Sequence, residues 1–263
     1  MSDELKVPIM ADLMAEGKKP EVLFWVGSAG SFDDRAKKIT KAFVKILNKA
    51  EVDFAVLGTE ESCTGDVAKR AGNEFLFQMQ ALMNIEVLNA YGVKKIVTCD
   101  PHSFNCLKNE YPELGGNYDV VHHTQFIQEL IKSGRLKLKG NLYKGKRITF
   151  HDPCYLGRAN NEYNAPREIL KSTNASIVEM NRHKRNALCC GAGGAQMFKE
   201  PEKGDKDINV LRTEDALQTN PNIIATGCPY CNTMMTDGVK AKEKESEISV
   251  LDIAELIANS EEL

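Results

Sequence analysis

Five of the chain's eight cysteines fall between positions 154 and 231, in three groups: Cys154, the adjacent pair Cys189 and Cys190 followed by Gly191, and Cys228-Pro-Tyr-Cys231. The intervals between groups are 34 and 37 residues. Disulfides rarely persist in a reducing cytosol, so thiols grouped in this way point to metal or redox chemistry. Thiolates are soft anionic ligands that suit iron–sulfur clusters, zinc and cuprous ion, and a bound metal lowers the thiol pKa enough to keep each one deprotonated. The adjacent pair narrows the choice. In extended chain successive side chains point to opposite sides, so a Cys-Cys pair chelates one small ion poorly, whereas two thiolates on a turn can embrace a larger cluster. Gly191-Ala192-Gly193-Gly194 supplies the backbone freedom for that turn and lets N–H groups approach cluster sulfurs. Zinc stays open as the alternative, although four thiolates satisfy it and a fifth would be redundant.

Three remote segments can meet only if the fold brings them together. Residues 21–27, 53–57, 95–99, 118–121, 147–151, 176–180 and 223–226 read as short apolar strands. Helical periodicity follows at 36–49, with Ile39, Phe43, Ile46 and Leu47 on one face, and at 72–91, 124–133, 165–172, 213–218 and 251–259. Strands alternating with helices predict an α/β fold, each sheet mostly parallel and flanked by helices. Loops of an open parallel sheet converge at its carboxyl edge, and each cysteine group follows a strand.

The chain also repeats itself. Ser28 falls on Cys154 and Phe24 on Phe150 at an offset of 126, Ser62 and Cys63 on Cys189 and Cys190 at 127, and Asp100 and Ser103 on Cys228 and Cys231 at 128. Glu129-Leu130-Ile131 falls on Glu255-Leu256-Ile257, again at 126. Two pseudo-symmetric βα repeats are therefore expected, at 1–140 and 141–263, joined through the polar, Lys- and Gly-rich stretch 136–146. The first copy is degenerate: of Ser28, Ser62, Cys63, Asp100 and Ser103 only one is a thiol, and serine is a poor ligand for iron or zinc at neutral pH. Cys99 and Cys106 miss the ligand positions by one and three residues and read as inert buried thiols. One bound cluster is expected, in the second copy.

The phrases HDPCYLGR at 151–158, CCGAGGAQMF at 189–198 and CPYCNTMM at 228–235 resemble the cysteine-rich CCG domain, over nearly the whole chain. That domain occurs, usually twice per chain, in the B and D subunits of heterodisulfide reductase, in the iron–sulfur subunits of glycolate and lactate oxidases, and in anaerobic glycerol-3-phosphate dehydrogenase. The resemblance implies an iron–sulfur electron-transfer subunit of an oxidoreductase, with one 4Fe–4S cluster, noncubane in heterodisulfide reductase. Its ligands would be Cys154, Cys189, Cys190, Cys228 and Cys231, and its acceptor quinone-linked or a thiol/disulfide. The C-x-x-C-x-x-C-x-x-x-C-P run of many relatives does not occur here, so a flavoprotein or ferredoxin-like partner is expected to supply electrons. A non-catalytic scaffold holding zinc or a cluster within a larger redox complex is the competing reading.

Other classes recede. With 34 Lys and Arg against 37 Asp and Glu, the chain has a net charge of −3 and no long basic run, which argues against nucleic acid as a partner. No apolar stretch is long enough to span a bilayer and the first twenty residues lack a secretory h-region, so the chain reads as cytoplasmic, reaching a membrane only through a partner. There is no G-x-S-x-G, H-E-x-x-H, Walker or G-x-G-x-x-G motif to support a stand-alone hydrolase or nucleotide enzyme. His151-Asp152 reads as either a proton relay or a hydrogen-bonded strand end. Arg182, His183, Lys184 and Arg185 read as a solvated loop or a charge balance for the thiolates. His122-His123 reads as structural, and the mixed-charge loop 199–207 as surface.

Overall fold

In the first half Val22–Trp25 (β1), Phe54–Ala55 (β2), Lys95–Thr98 (β3) and Asp119–His122 (β4) form a parallel sheet in the order β2-β1-β3-β4. In the second, Arg147–Phe150 (β5), Ser176–Ile177 (β6), Ile223–Thr226 (β7) and Ser249–Asp252 (β8) repeat it as β6-β5-β7-β8. These elements belong to a computed structural model that describes residues 5–139, 141–200 and 203–263. Parallel neighbours require crossovers, and the crossover helices cover both faces of each sheet. That is why β1 and β7 are apolar or small along their length and buried at every position. The α/β class with two repeat-like halves follows directly.

The ladders fix the internal register. Phe24 pairs with Val97 and Phe150 with Ala225, which keeps Phe24 on Phe150, while Thr98 opposite His122 matches Thr226 opposite Asp252. The Glu129–Glu255 match fails. Glu255 closes a capping box on Asp252 at the start of the helix Ile253–Ser260, and its counterpart is Gln125, which does the same for His122 in the helix His123–Lys132. The offset has grown to 130 there, and loops between the strands absorb the difference. The same box marks where 249–252 ends as strand, so the helix expected at 251–259 starts at Ile253. The strand expected at 176–180 shortens to two residues, and the helix at 213–218 begins earlier, as Ile208–Leu217.

One 13-residue helix, Pro229–Ala241, has no counterpart in the sequence reading. Thr233, Thr236, Asp237 and Gly238 interrupt its apolar stripe, yet its start is well specified, with Cys228 as N-cap and Pro229 in the first turn, where no N–H is needed.

A single apolar cluster runs through both halves and includes Phe24, Phe43, Phe150, Ile169, Ile253 and Leu256. The helix Ala36–Lys49 of the first half packs on Ile253–Ser260 of the second. Arg35 forks onto Glu255 at 2.8 and 2.7 Å, and His123 Nε2 lies 2.9 Å from Asp252 Oδ1 with both side chains fully buried. Leu136 and Tyr143 of the connection 136–146 insert into the same cluster, so this segment is anchored at both ends; Gly140 lies outside the described residues. Among the described residues no helix is long and apolar enough to cross a membrane.

Candidate metal centre

Strand order dictates where a site can form. Between β5 and β7 the chain leaves in opposite directions, to β6 on one side and β8 on the other, which opens a crevice at their carboxyl ends. Cys154 enters it from β5 through His151-Asp152-Pro153, and Cys228 enters it from β7 through Gly227. Cys228 caps the helix Pro229–Ala241, its Sγ accepting the Cys231 N–H at 3.4 Å, so both thiols sit at the positive end of a helix dipole that favours thiolate. The third segment turns sharply. Gly191 has φ 91°, and its N–H donates to Cys189 Sγ at 3.3 Å. A Cβ there would lie 3.2 Å from that of Ile208, so glycine is required twice over.

Cys189, Cys190, Cys228 and Cys231 pack together in one cluster, and Cys154 reaches it through Cys189. Because the loop turns, the adjacent pair touches rather than diverging. Cys190, Cys228 and Cys231 are buried, and Cys154 and Cys189 half-buried. Thiol donation from Cys154 and Cys190, together with the Gly191 N–H, holds Cys189 well below the ordinary thiol value. Cys154 is pushed up by the hydrogen bond it gives to Cys189, then by burial; Cys231 is pushed up by its bonds to Cys190 and Cys228, then by burial. Five thiolates in one crevice repel one another, so holding all of them deprotonated needs a cation among them. A soft donor set with more sulfurs than tetrahedral zinc uses fits a multinuclear iron–sulfur group.

Beside the sulfurs stands His151. One of its ring nitrogens and the Cys190 and Cys231 sulfurs all lie within 4.8 Å of one another. Its Nδ1 accepts from Arg212 Nε at 3.0 Å, and its buried Nε2 has no hydrogen-bond partner among the described residues. Burial and the Arg212 charge push the imidazole down to about 3, so it is neutral. Asp152 faces away from this ring: it forms a bidentate pair with Arg167 at 2.8 and 2.9 Å and accepts the Lys184 N–H at 2.7 Å. The neighbouring pair is therefore split between two tasks and does not relay a proton between its members.

The degenerate crevice of the first half is filled by its own polar groups. Asp100 caps the helix Pro101–Asn105, accepting the N–H of His102 at 3.0 Å and both the N–H and Oγ of Ser103, at 3.2 and 2.8 Å. Ser62 Oγ donates to Asn84 Oδ1, and Glu61 accepts the N–H groups of Val26 and Gly27, burial pushing that carboxyl up to about 7. Cys63 Sγ accepts the Gly65 N–H at 3.4 Å with Gly65 at φ 86°, which reproduces Cys189 and Gly191. The geometry thus pairs Cys63 with Cys189 and not, as the offset of 127 suggests, with Cys190. Ser28 lines a cleft shared with Tyr230 and Phe198. Cys99 and Cys106 are buried outside the five, Cys106 donating to Glu110 at 3.2 Å.

The CCG cysteine-rich domain model matches residues 22–108 and 148–236, one copy in each half. The chain belongs to this family. Relatives of this CCG chain include the probable iron–sulfur-binding oxidoreductase FadF of Bacillus subtilis, 50% identical over 98% of this chain and 36% of that protein. The EtfAB:quinone oxidoreductase of Syntrophomonas wolfei is 47% identical over 97% of this chain and 36% of its own length. One subunit of the dihydromethanophenazine:CoB–CoM heterodisulfide reductase of Methanosarcina barkeri is 34% identical over 92% of this chain and 59% of its own length. The chain spans about a third of the length of the first two.

Sequence reasoning missed the groups that surround the CCG sulfurs. His102 is the register equivalent of Tyr230, and its ring lies 4.2 Å from that of Tyr155 and 5.6 Å from that of Tyr230, so the two crevices face each other. Its Nδ1 is 2.8 Å from Asp66, which also holds Arg70. Burial opposes a charge on His102, but the Asp66 hydrogen bond and the charges of Asp100 and Asp66 outweigh it and push the imidazole up to about 9. The matched Asp-Pro-His-Ser and Cys-Pro-Tyr-Cys phrases contain the signal for His102; Arg212 has none. Arg182 is exposed and pairs with the buried Asp215, Lys184 and Arg185 are exposed, and His183 Nδ1 bonds Met180 O, so these side chains are engaged away from the sulfurs. His122 and His123 are fully buried and structural. Of the loop 199–207, Pro201 and Glu202 lie outside the described residues, and the rest is largely exposed.

Proposed function

We propose that the chain is the electron-transferring part of an iron–sulfur oxidoreductase. Cys154, Cys189, Cys190, Cys228 and Cys231 hold one 4Fe–4S cluster in the repeat 141–263, while the repeat 1–140 carries no metal and closes the site from the other side. The observation that supports this most is the convergence of thiols from three loops at one sheet edge, Cys189, Cys190, Cys228 and Cys231 in one cluster with Cys154 beside Cys189. The names of the relatives, an iron–sulfur-binding oxidoreductase among them, support the same class. A bound cluster supplies reversible one-electron storage at low potential. The protein's own groups divide the remaining work. The helix Pro229–Ala241 places its positive end at Cys228 and Cys231, the Gly191 turn lets two neighbouring sulfurs serve one centre, and Tyr155, Tyr230 and Met197 exclude water from its mouth.

A flavoprotein or ferredoxin-like partner would supply electrons to the group these cysteines hold, and a quinone-linked or disulfide acceptor would take them up. A reducing cytoplasm suits a set of free thiols, and contact with a membrane then runs through the partner. Anaerobic reconstitution with ferrous iron and sulfide, followed by metal analysis and electron paramagnetic resonance, tests the reading. Cys190→Ser removes most of the iron and Cys106→Ser removes none; equal iron in both variants refutes the ligand set. Stoichiometric zinc with no reducible signal would establish the scaffold reading instead.

A further inference from the structure

We infer that His151 is a fixed hydrogen-bond donor to the cysteine sulfurs, locked in its Nε2–H form by Arg212, and that it sets the reduction potential of the centre those sulfurs hold. The inference rests on the function proposed above, and three observations carry it. Arg212 Nε donates to His151 Nδ1 at 3.0 Å, and a guanidinium never gives up its charge, so Nδ1 is the bare nitrogen and the ring proton resides on Nε2. Nε2 is buried without a hydrogen-bond partner among the described residues, and a buried N–H left unmatched forfeits the hydration it had in water, so it calls for an acceptor. The acceptors at hand are the Cys190 and Cys231 sulfurs, since a ring nitrogen of His151 lies within 4.8 Å of both and Nδ1 is already engaged.

The support is rigid. The His151 N–H continues the β5–β7 ladder to Ala225 O at 2.9 Å, and the next residue, Asp152, is clamped by Arg167. Arg212 is fully buried and is itself held by Arg182 O at 2.7 Å and Asp215 at 3.2 Å. The equivalent of His151 in the degenerate half is Trp25, a ring of comparable shape with no second nitrogen for an arginine to hold. With Nδ1 occupied and Nε2 protonated, the neutral imidazole has no lone pair for a metal, so it is a positioning residue and not a ligand. Adding an electron to the centre concentrates negative charge on its sulfurs. An N–H aimed at them, with the Arg212 cation behind it, stabilises the reduced form more than the oxidised one and raises the potential.

Two measurements test this. Nitrogen-15 chemical shifts of labelled histidine in the metal-free protein report the tautomer directly; the Nε2–H form is expected for His151, and an Nδ1–H form overturns the assignment whether or not the protein takes up iron. In reconstituted protein, a mediated redox titration followed by electron paramagnetic resonance is expected to show His151→Leu with full iron and a more negative midpoint, and His151→Gln, which keeps an N–H, recovering part of the shift. An unchanged midpoint in His151→Leu refutes the donor role. Loss of iron from both variants refutes it too, since His151 would then be a ligand or indispensable to the loop. Wild-type protein that takes up no iron defeats the proposed function, while the tautomer measurement still decides whether the fixed donor exists.

Discussion

Asp66→Asn removes the carboxylate that keeps His102 charged, and the effect has a calculable pH signature. The folded imidazole titrates at about 9 against 6.5 for the unmodified side chain, because its 2.8 Å contact with Asp66 is nine-tenths buried. A group raised in the folded state contributes stability that is complete below its unfolded pKa and disappears as pH rises through the folded one. Between those two values the native protein binds one more proton than the unfolded chain, so stability falls by about 1.4 kcal/mol per pH unit, about 3 kcal/mol in all. Asparagine removes the hydrogen-bonded carboxylate and leaves only the Asp100 charge to favour the imidazolium, so Asp66→Asn loses most of this slope. The assay is urea unfolding of reduced protein, followed by circular dichroism, at intervals from about pH 6 to about pH 9.5. Unfolded thiols also titrate in this range but do so in both proteins, and they cancel in the difference between the two profiles. The variant is expected to be less stable than wild type at the acidic end by no more than about 3 kcal/mol, with the gap closing toward the alkaline end. Parallel profiles would refute the assignment of a charged His102 over the cysteine site.

Gly191→Ala forces a β-carbon to within 3.2 Å of Ile208 at a φ of 91°, and is expected to cost about 1–3 kcal/mol and most of the bound iron. Gly204→Ala, where a β-carbon meets nothing within 4 Å, should match wild type in both thermal melting and iron content. Arg167→Met strands the buried Asp152 carboxylate and should destabilise the fold by about 3–5 kcal/mol in denaturant titrations. Adding Asp152→Asn should return part of that loss, because the uncompensated charge is then gone; strictly additive effects would show that the two residues do not interact.

Sequence carried the five gathered sulfurs but not their setting. Cys154, Cys189, Cys190, Cys228 and Cys231 were legible because cysteine is chemically specific and because their intervals match one βα unit, so the parallel sheet had to deliver them to one edge. The helix 36–49 was legible to the residue because Ile39, Phe43, Ile46 and Leu47 make a clean buried stripe. The helix Pro229–Ala241 was not, since its polar interruptions defeat periodicity and only its cap announces it. Strand β8 merges with the following helix in the sequence pattern for a related reason: four residues are too few for a period, and the Asp252–Glu255 capping box is the better guide. Arg212 carries no signal in the sequence, and the helix expected at 213–218 leaves it out. It is fully buried because His151, Asp215 and the Arg182 carbonyl compensate it, and two of those three lie on other segments.

The two halves divide the electrostatics of the site. A crevice that gathers five acidic sulfurs must be matched by positive charge, and the cysteine-bearing loops contribute helix dipole, backbone N–H groups and Arg158, whose guanidinium donates to Ala187 O. Two further fixed charges come from elsewhere: Arg212 behind His151, and His102 from the half that has lost its thiols. In that half the positions equivalent to the thiols are not vacant sites. Asp100 caps a helix, Ser103 bonds Asp100, Ser62 bonds Asn84, and Asp66 holds His102 and Arg70. Substituting carboxylates and hydroxyls for thiols turns a sulfur-lined edge into a self-satisfied polar block whose His102 ring reaches across to Tyr155 and Tyr230. The degenerate repeat therefore adds a buried cation, His102, across the mouth of the site from the sulfur-bearing loops, and the core shared by the two repeats holds it there.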